Sequence, residues 1–253
     1  MANGDYAAIA VRAAAAAQVF THDLESLQIG SEDLHHLSRV LRLQAGEEVI
    51  LADGTGSWRR SVWSDNTPAP AHGLRGPGGD GGVQWEPPAQ PALTVAFAPT
   101  KGERPEWVVQ KLTELGIDRI VPLMSERSVV RWSGQRGRST VERLRRVAQE
   151  AAGQCRRVWL PEVTEVTTFA ALSSLADAGE VVLAQLSGDR PHASQRVVAV
   201  GPEGGWSEAE LASGLPTVGF GLSVLRAETA AVTAGALMTS LRTGTVAPVG
   251  ESS

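Results

Sequence analysis

The rhythm of apolar and polar positions changes near residue 92. Before it, apolar runs are short and separated by turn residues. Residues 31–41 place Leu34, Leu37 and Leu41 on one helical face. Residues 49–53 and 57–63 read as two strands around the turn Gly54-Thr-Gly56. A small β-barrel with one helix over residues 18–90 fits this pattern. Within it, residues 68–91 are rich in Gly and Pro, lack periodicity, and are expected to form a mobile loop or linker. Residues 1–17 are alanine-rich but broken by Arg12, and are expected to be a loosely ordered extension; residues 246–253 form a tail.

From residue 93 strands and helices alternate. The pattern predicts strands at 93–98, 119–123, 180–186 and 196–200, and helices at 105–115, 140–152 and 230–241. Such alternation predicts an α/β domain over 92–245 with a mostly parallel sheet covered on both faces.

The most informative segment is Arg196-Val-Val-Ala-Val-Gly-Pro-Glu-Gly-Gly205, a buried strand running into a glycine loop. Gly201, Gly204 and Gly205 allow positive φ and close approach of the backbone to a ligand. Ser207-Glu-Ala-Glu210 then opens a helix as a capping box. A strand, a glycine turn and a helix start are how α/β folds hold a nucleotide-like group. Neither G-x-G-x-x-G nor G-x-x-x-x-G-K is present, so the site is of neither dinucleotide nor P-loop type.

The net charge of −5 does not advertise a nucleic-acid binder, but its distribution does. Residues 101–160 carry a local +6, which leaves −11 elsewhere. A basic stretch in an acidic chain fits a localised phosphate-binding face. Only Lys101 and Lys111 are lysines, a bias that fits a GC-rich genome. The single cysteine, Cys155, excludes an intramolecular disulfide and is expected as a small buried packing residue in a reducing compartment. His22, His35, His36, His72 and His192 show no metal-ligand spacing, so no metal is expected. The amino terminus reads neither as a signal peptide nor as a bilayer span, so no membrane partner and a cytoplasmic location are expected.

Val-Gly-Pro-Glu-Gly-Gly205 and Val224-Leu-Arg-Ala-Glu-Thr-Ala230 resemble the two signature loops of the RsmE family. Arg39-Val-Leu-Arg42, Lys101-Gly-Glu-Arg104, Gln110-Lys-Leu-Thr-Glu-Leu-Gly116, Ser125-Glu-Arg-Ser128 and Gln154-Cys-Arg-Arg157 follow the same family's order. The resemblance runs from about Val19 to about Leu241. It implies an S-adenosylmethionine-dependent methyltransferase acting on N3 of a uridine in 16S ribosomal RNA of the small ribosomal subunit. It also implies a SPOUT-type sheet with a C-terminal trefoil knot, a PUA-like RNA-binding barrel and a homodimer. The small residues Ala230, Ala231, Ala234, Gly235 and Ala236 suit close helix approach in such a dimer.

By the same resemblance the cofactor is held by Gly201, Pro202, Glu203, Gly204, Gly205, Gly221, Leu222, Val224, Leu225 and Thr229. Glu203 has two roles open to it, receiving ribose hydroxyls or bonding its own loop. Arg226 and Glu228 are the catalytic candidates, because N3 of uridine must lose a proton and the resulting charge spreads onto its flanking carbonyls. The alternative role of Arg226 is to hold its loop, and that of Glu228 is to stabilise a helix start. Thr229 would cap the same helix. Arg39, Arg42, Lys101, Arg104, Arg127, Arg156 and Arg157 are expected to grip RNA phosphates, against the plainer reading of solvated charge. Trp132 is a candidate for base stacking, whereas Trp107 is expected to pack in the core. Three positions depart from the family pattern: Gly153, Gln185 and Ser223. A ribose 2′-hydroxyl methyltransferase and a non-catalytic RNA-binding assembly factor are the competing functions.

Overall fold

A computed structural model describes residues 3–174 and 181–247. The chain divides into two compact units, Met1–Pro88 with Gln149–Leu160, and Ala89–Ala148 with Pro161–Ser253. Glu180 of the expected third strand and residues 248–253 of the expected tail lie outside the described residues.

The first unit contains α1 (Asn3–Ala14), β1 (Ala17–Phe20), α2 (Ser31–His35) continuing into a π-helical turn His36–Val40, β2 (Glu48–Ala52), β3 (Ser57–Ser64), β4 (Thr67–Pro70) and β5 (Gln84–Trp85). The sheet runs β1-β2-β3-β4, with β5 also on β3. β1 lies parallel to β2, Ala17 opposite Val49, and the other pairs are antiparallel. Leu37 is fully buried beneath the sheet with Val49, Leu51 and Trp63, and Leu34 is packed against them. Leu41, expected on the same face, is exposed because the helix has ended before it.

Two expectations are corrected in this unit. Within the expected loose extension, Asn3–Ala14 form the helix α1, and Met1 and Ala2 lie outside the described residues. Arg12 is buried, ion-paired with Glu86, 5.1 Å above the Trp58 ring, and donates to the Arg156 carbonyl at 3.2 Å. A buried guanidinium persists only when paired and bonded in this way. Residues 68–91 are not without structure either, since β4 and β5 lie within them or at their edge. Arg60 is ion-paired with Glu48 at 2.8 Å and donates to the carbonyls of Arg75 at 2.7 Å and Pro77 at 3.4 Å.

The second unit contains β6 (Thr94–Phe97), α3 (Arg104–Leu115), β7 (Arg119–Met124), α4 (Gly134–Gln154), β8 (Glu162–Val163), β9 (Thr167–Thr168), α5 (Phe169–Ser174), β10 (Val181–Asp189), β11 (Val197–Val200), α6 (Glu208–Leu211), β12 (Thr217–Val218) and α7 (Ala227–Thr243). The sheet order is β12-β10-β11-β6-β7-β8, with β9 also on β7. Every pair in it is parallel. Alternate side chains therefore enter two cores. Val95, Phe97, Val198 and Val200 face α3 and α7, while Ala96 and Ala199 face the layer containing Leu172 and Trp206.

The small residues of α7 serve this core, which corrects the expected dimer-facing role of three of them. Ala231, Ala234 and Gly235 are buried within the unit. A Cβ on Gly235 would stand 2.6 Å from Leu112 Cδ2 of α3. At the far end of α7, Arg242 ion-pairs with Asp118 and donates to the carbonyls of Gly116 at 2.8 Å and Pro91 at 3.2 Å. Its side chain is only 9% exposed. Arg242→Ala leaves Asp118 without this partner, and a stability loss of about 3 kcal/mol is expected in urea titration. An unchanged midpoint would show the clamp to be dispensable.

Candidate active site

In a parallel sheet every βα loop emerges at the carboxyl edge. The segments after β6, β7, β11 and β12 therefore share one edge, and they carry Lys101, Arg104, Arg127, the glycine loop and Arg226. A cleft of about 380 Å³ opens there, within the range of small-molecule sites. Its walls are the loop from Gly201 to Trp206 and the loop from Phe220 to Arg226, and its back is Ala184, Gln185 and Leu186 of β10.

Of the expected cofactor residues, Gly201, Pro202, Glu203, Gly205, Gly221, Val224 and Leu225 line the cleft, and so does Arg226. Gly204, Leu222 and Thr229 do not. A Cβ on Gly204 would point at Arg127, 3.7 Å from its Cβ, away from the cleft. Leu222 is fully exposed. Thr229 sits exposed in the first turn of α7, where the capping position belongs to Arg226 and no side chain caps. Of the three loop glycines only Gly205 takes a positive φ, +68°. Gly201 is required for a different reason: its missing Cβ would lie 3.1 Å from the Trp206 ring.

Trp206 escaped the sequence reading, although an indole directly after Gly-Gly was a signal. It is buried, donates to the Ala184 carbonyl at 3.0 Å and packs on Phe169, ring centres 5.6 Å apart. It thereby ties the glycine loop to β10. Phe220, Ala227 and Ala230 are further lining residues not foreseen; Gln185 and Ser223, two of the three departures, line the cleft as well. Below the loop the expected capping box is present, Ser207 with Glu210, and Glu210 also accepts from the Glu126 amide at 2.9 Å.

Charge is arranged around the mouth. Arg104 lies 3.6 Å from Glu228 and 3.9 Å from Glu203. Glu228 is mostly buried, and its Oε2 has no hydrogen-bond partner among the described residues. Arg226 is exposed at the cleft wall with no ion pair or side-chain hydrogen bond among the described residues. Arg127 donates to the Gly204 carbonyl at 3.2 Å and braces the loop.

An RNA methyltransferase domain model matches residues 87–239, and an RNA methyltransferase PUA domain model matches residues 29–62. A curated relative, ribosomal RNA small subunit methyltransferase E of Synechocystis, is 34% identical, with 85% of this chain and 73% of that protein covered. The chain belongs to the ribosomal RNA small subunit methyltransferase E family. A probable rRNA-methyltransferase from Porphyromonas gingivalis superposes with TM-score 0.72 at 28% identity over 91% of this chain and all of the other. The Neisseria gonorrhoeae methyltransferase E, solved with S-adenosyl methionine, superposes with TM-score 0.72 at 24% identity over 89% of this chain and 97% of that one. The family expected from the two loops is thus the family found, as are the PUA-like unit and the SPOUT-type sheet.

The remaining basic residues expected in this methyltransferase family member divide into two groups. Arg39 lies in the π-helical turn and Arg42 just beyond it, both exposed. Lys101 is exposed after β6. Arg156 is turned inward: it donates to the carbonyls of Gly153 at 2.8 Å, Ala15 at 2.9 Å and Ala16 at 3.2 Å. Burial lowers its pKa. Its geometry is that of a clasp on the end of α1, which corrects the expected phosphate grip. Arg157 is half-buried and its carbonyl accepts from Gln18 at 2.6 Å. Cys155, expected to be buried, is exposed, and Trp107, expected in the core, is 44% exposed on α3. Among the described residues no three metal-ligating side chains cluster, and no helix is long and apolar enough to cross a membrane.

Proposed function

We propose that this chain transfers a methyl group from S-adenosylmethionine to N3 of a uridine in 16S ribosomal RNA, acting on the small subunit in the cytoplasm. The observation that carries the reading is the cleft between the two signature loops, with Arg226 on its wall and Glu228 next in sequence to the lining residue Ala227. The site fits the cofactor. Its walls are chiefly backbone and apolar side chains, and of the two carboxylates near Arg104 only Glu203 lines it. When bound, the cofactor supplies an electrophilic methyl group that needs no further activation, so the protein's task is alignment and exclusion of water.

The chain's residues meet the remaining demand, removal of the N3 proton. Glu228 is the candidate acceptor for it, with Oε1 3.6 Å from Arg104 Nε. Arg226 offers a fork of N–H donors to the carbonyl oxygen on which charge collects. Arg39, Arg42 and Lys101, with Arg157, position phosphates. The trefoil knot belongs to this reading. Its support is the path from edge strand β12 back to α7, which packs on β6, β11 and α3. Incubation with labelled cofactor and undermodified small subunits, followed by mapping of the modified base, tests the assignment. Label on a ribose 2′-oxygen, or no transfer, overturns it.

The active form is a homodimer in this reading. Leu222 is 102% exposed and Val224 84% exposed, beside the cleft, where a second copy would cover them. Leu222→Asp is expected to sediment as a monomer with strongly reduced activity. A fully active monomer of the unaltered chain at micromolar concentration refutes the dimer.

A further inference from the structure

We propose that a second groove, separate from the cofactor cleft, binds the sugar-phosphate backbone of RNA along the N-terminal half of α4. This rests on the RNA-methyltransferase reading and extends it to a second surface, of which only the Lys101 segment lies in a family motif. The groove has a volume of about 530 Å³ and is lined by Lys101, Trp132, Arg136, Thr140, Arg143 and Arg146, among others. None of its lining residues lines the cofactor cleft. Only Lys101 of its cations stood out in the sequence.

The helix dictates the arrangement. Val141, Leu144 and Ala148 are buried in the core, at helical spacing. Arg136, Thr140, Arg143 and Arg146 then fall on a different face, spaced by three or four residues. At 1.5 Å per residue the ten steps from Arg136 to Arg146 cover roughly 15 Å. Lys101 enters from the loop after β6, at the sheet edge that also holds the cofactor cleft. Ser139 and Thr100 add hydroxyls to the lining, and Trp132, packed on the core from the groove side, offers an aromatic surface to a base.

Several uncompensated cations lining one groove together separate it from an ordinary solvated helix. Elsewhere in this acidic chain Arg12, Arg60, Arg119, Arg145 and Arg242 each meet a carboxylate, while Arg39, Arg42 and Arg226 have no ion pair among the described residues. In the groove Arg143 is paired with Glu106, but Lys101, Arg136 and Arg146 have no ion pair among the described residues. All three are exposed, so a small anion gains little from them: a solvated ion pair is worth about 1 kcal/mol or less. A polyanion gains from all of them together, through release of its condensed counterions. Magnitude therefore selects an RNA backbone over a free phosphate.

The test is a triple variant of the full chain, Lys101→Gln, Arg136→Gln and Arg146→Gln, with Arg119→Gln as a control on a paired surface arginine. Affinity is measured between about 50 and about 200 mM salt for a 16S fragment and for an unrelated single strand. Each lost single-strand phosphate contact removes about 0.7 from the salt slope, so the triple variant should be flatter by roughly two for both RNAs. Cofactor affinity by calorimetry should not change, and the control should match the unaltered chain. An unchanged slope overturns the groove, as does saturable binding of inorganic phosphate that the triple variant abolishes while RNA binding persists. The two readings fail separately. A flatter slope without any methyl transfer by the unaltered chain leaves the groove and removes the activity. Intact transfer with an unchanged slope removes the groove alone.

Discussion

Arg226→Ala is expected to lower turnover on small subunits by about a hundredfold or more while leaving cofactor affinity unchanged. The expectation follows from what the side chain does not do. Arg226 caps α7 through its backbone, in an extended conformation, and its carbonyl accepts from the Ala230 amide at 2.8 Å. Its guanidinium is bonded to nothing among the described residues, so truncation leaves the loop and the helix start intact. What is lost is a cation on the cleft wall, where, in the proposed reaction, a uridine losing its N3 proton would accumulate negative charge on its carbonyl oxygens. Interactions made only as charge develops lower the rate constant without changing ground-state binding. Arg226→Lys should recover part of the rate, since it keeps the charge but not the planar fork. Single-turnover methylation with parallel calorimetry decides the matter. An equal loss of cofactor affinity would make Arg226 a structural part of its loop.

The parallel sheet was legible because its strands are buried on both faces and read as short apolar runs, as in Val197–Val200. Its shortest strands, β8, β9 and β12, were not, since two residues carry no period. The order of α1 and of residues 68–91 was hidden for another reason. What holds them is remote: Arg12 pairs with a residue 74 positions away, and Arg60 reaches carbonyls 15 and 17 positions away. Trp107 was misjudged by helix geometry. It precedes Leu112 by five residues, well off that residue's face at 3.6 residues per turn. At the site, the residue types of the two loops were readable, but the directions of their missing Cβ atoms were not. Gly204 and Gly201 look equivalent in sequence, yet one faces Arg127 and the other faces Trp206.

That difference makes Gly201→Val the substitution with the largest expected effect on cofactor binding. An added Cβ meets the Trp206 ring at 3.1 to 3.4 Å, so the branched methyls of valine must displace the indole or the loop. The indole has little freedom to yield. It is 4% exposed, bonded to the Ala184 carbonyl and packed on Phe169. The displacement therefore passes to Ala184 and to the loop itself, which are two walls of the same cleft. A loss of at least about a hundredfold in S-adenosylmethionine affinity, roughly 2.7 kcal/mol, is expected. Gly204→Ala is the matched comparison, because its Cβ would rest at ordinary contact distance, 3.7 Å from Arg127 Cβ, outside the cleft. It should bind the cofactor as the unaltered chain does. Calorimetry on both variants, with circular dichroism to confirm folding, separates a cleft-wall glycine from one that merely turns the chain. Native affinity in a folded Gly201→Val variant would move the cofactor out of this cleft.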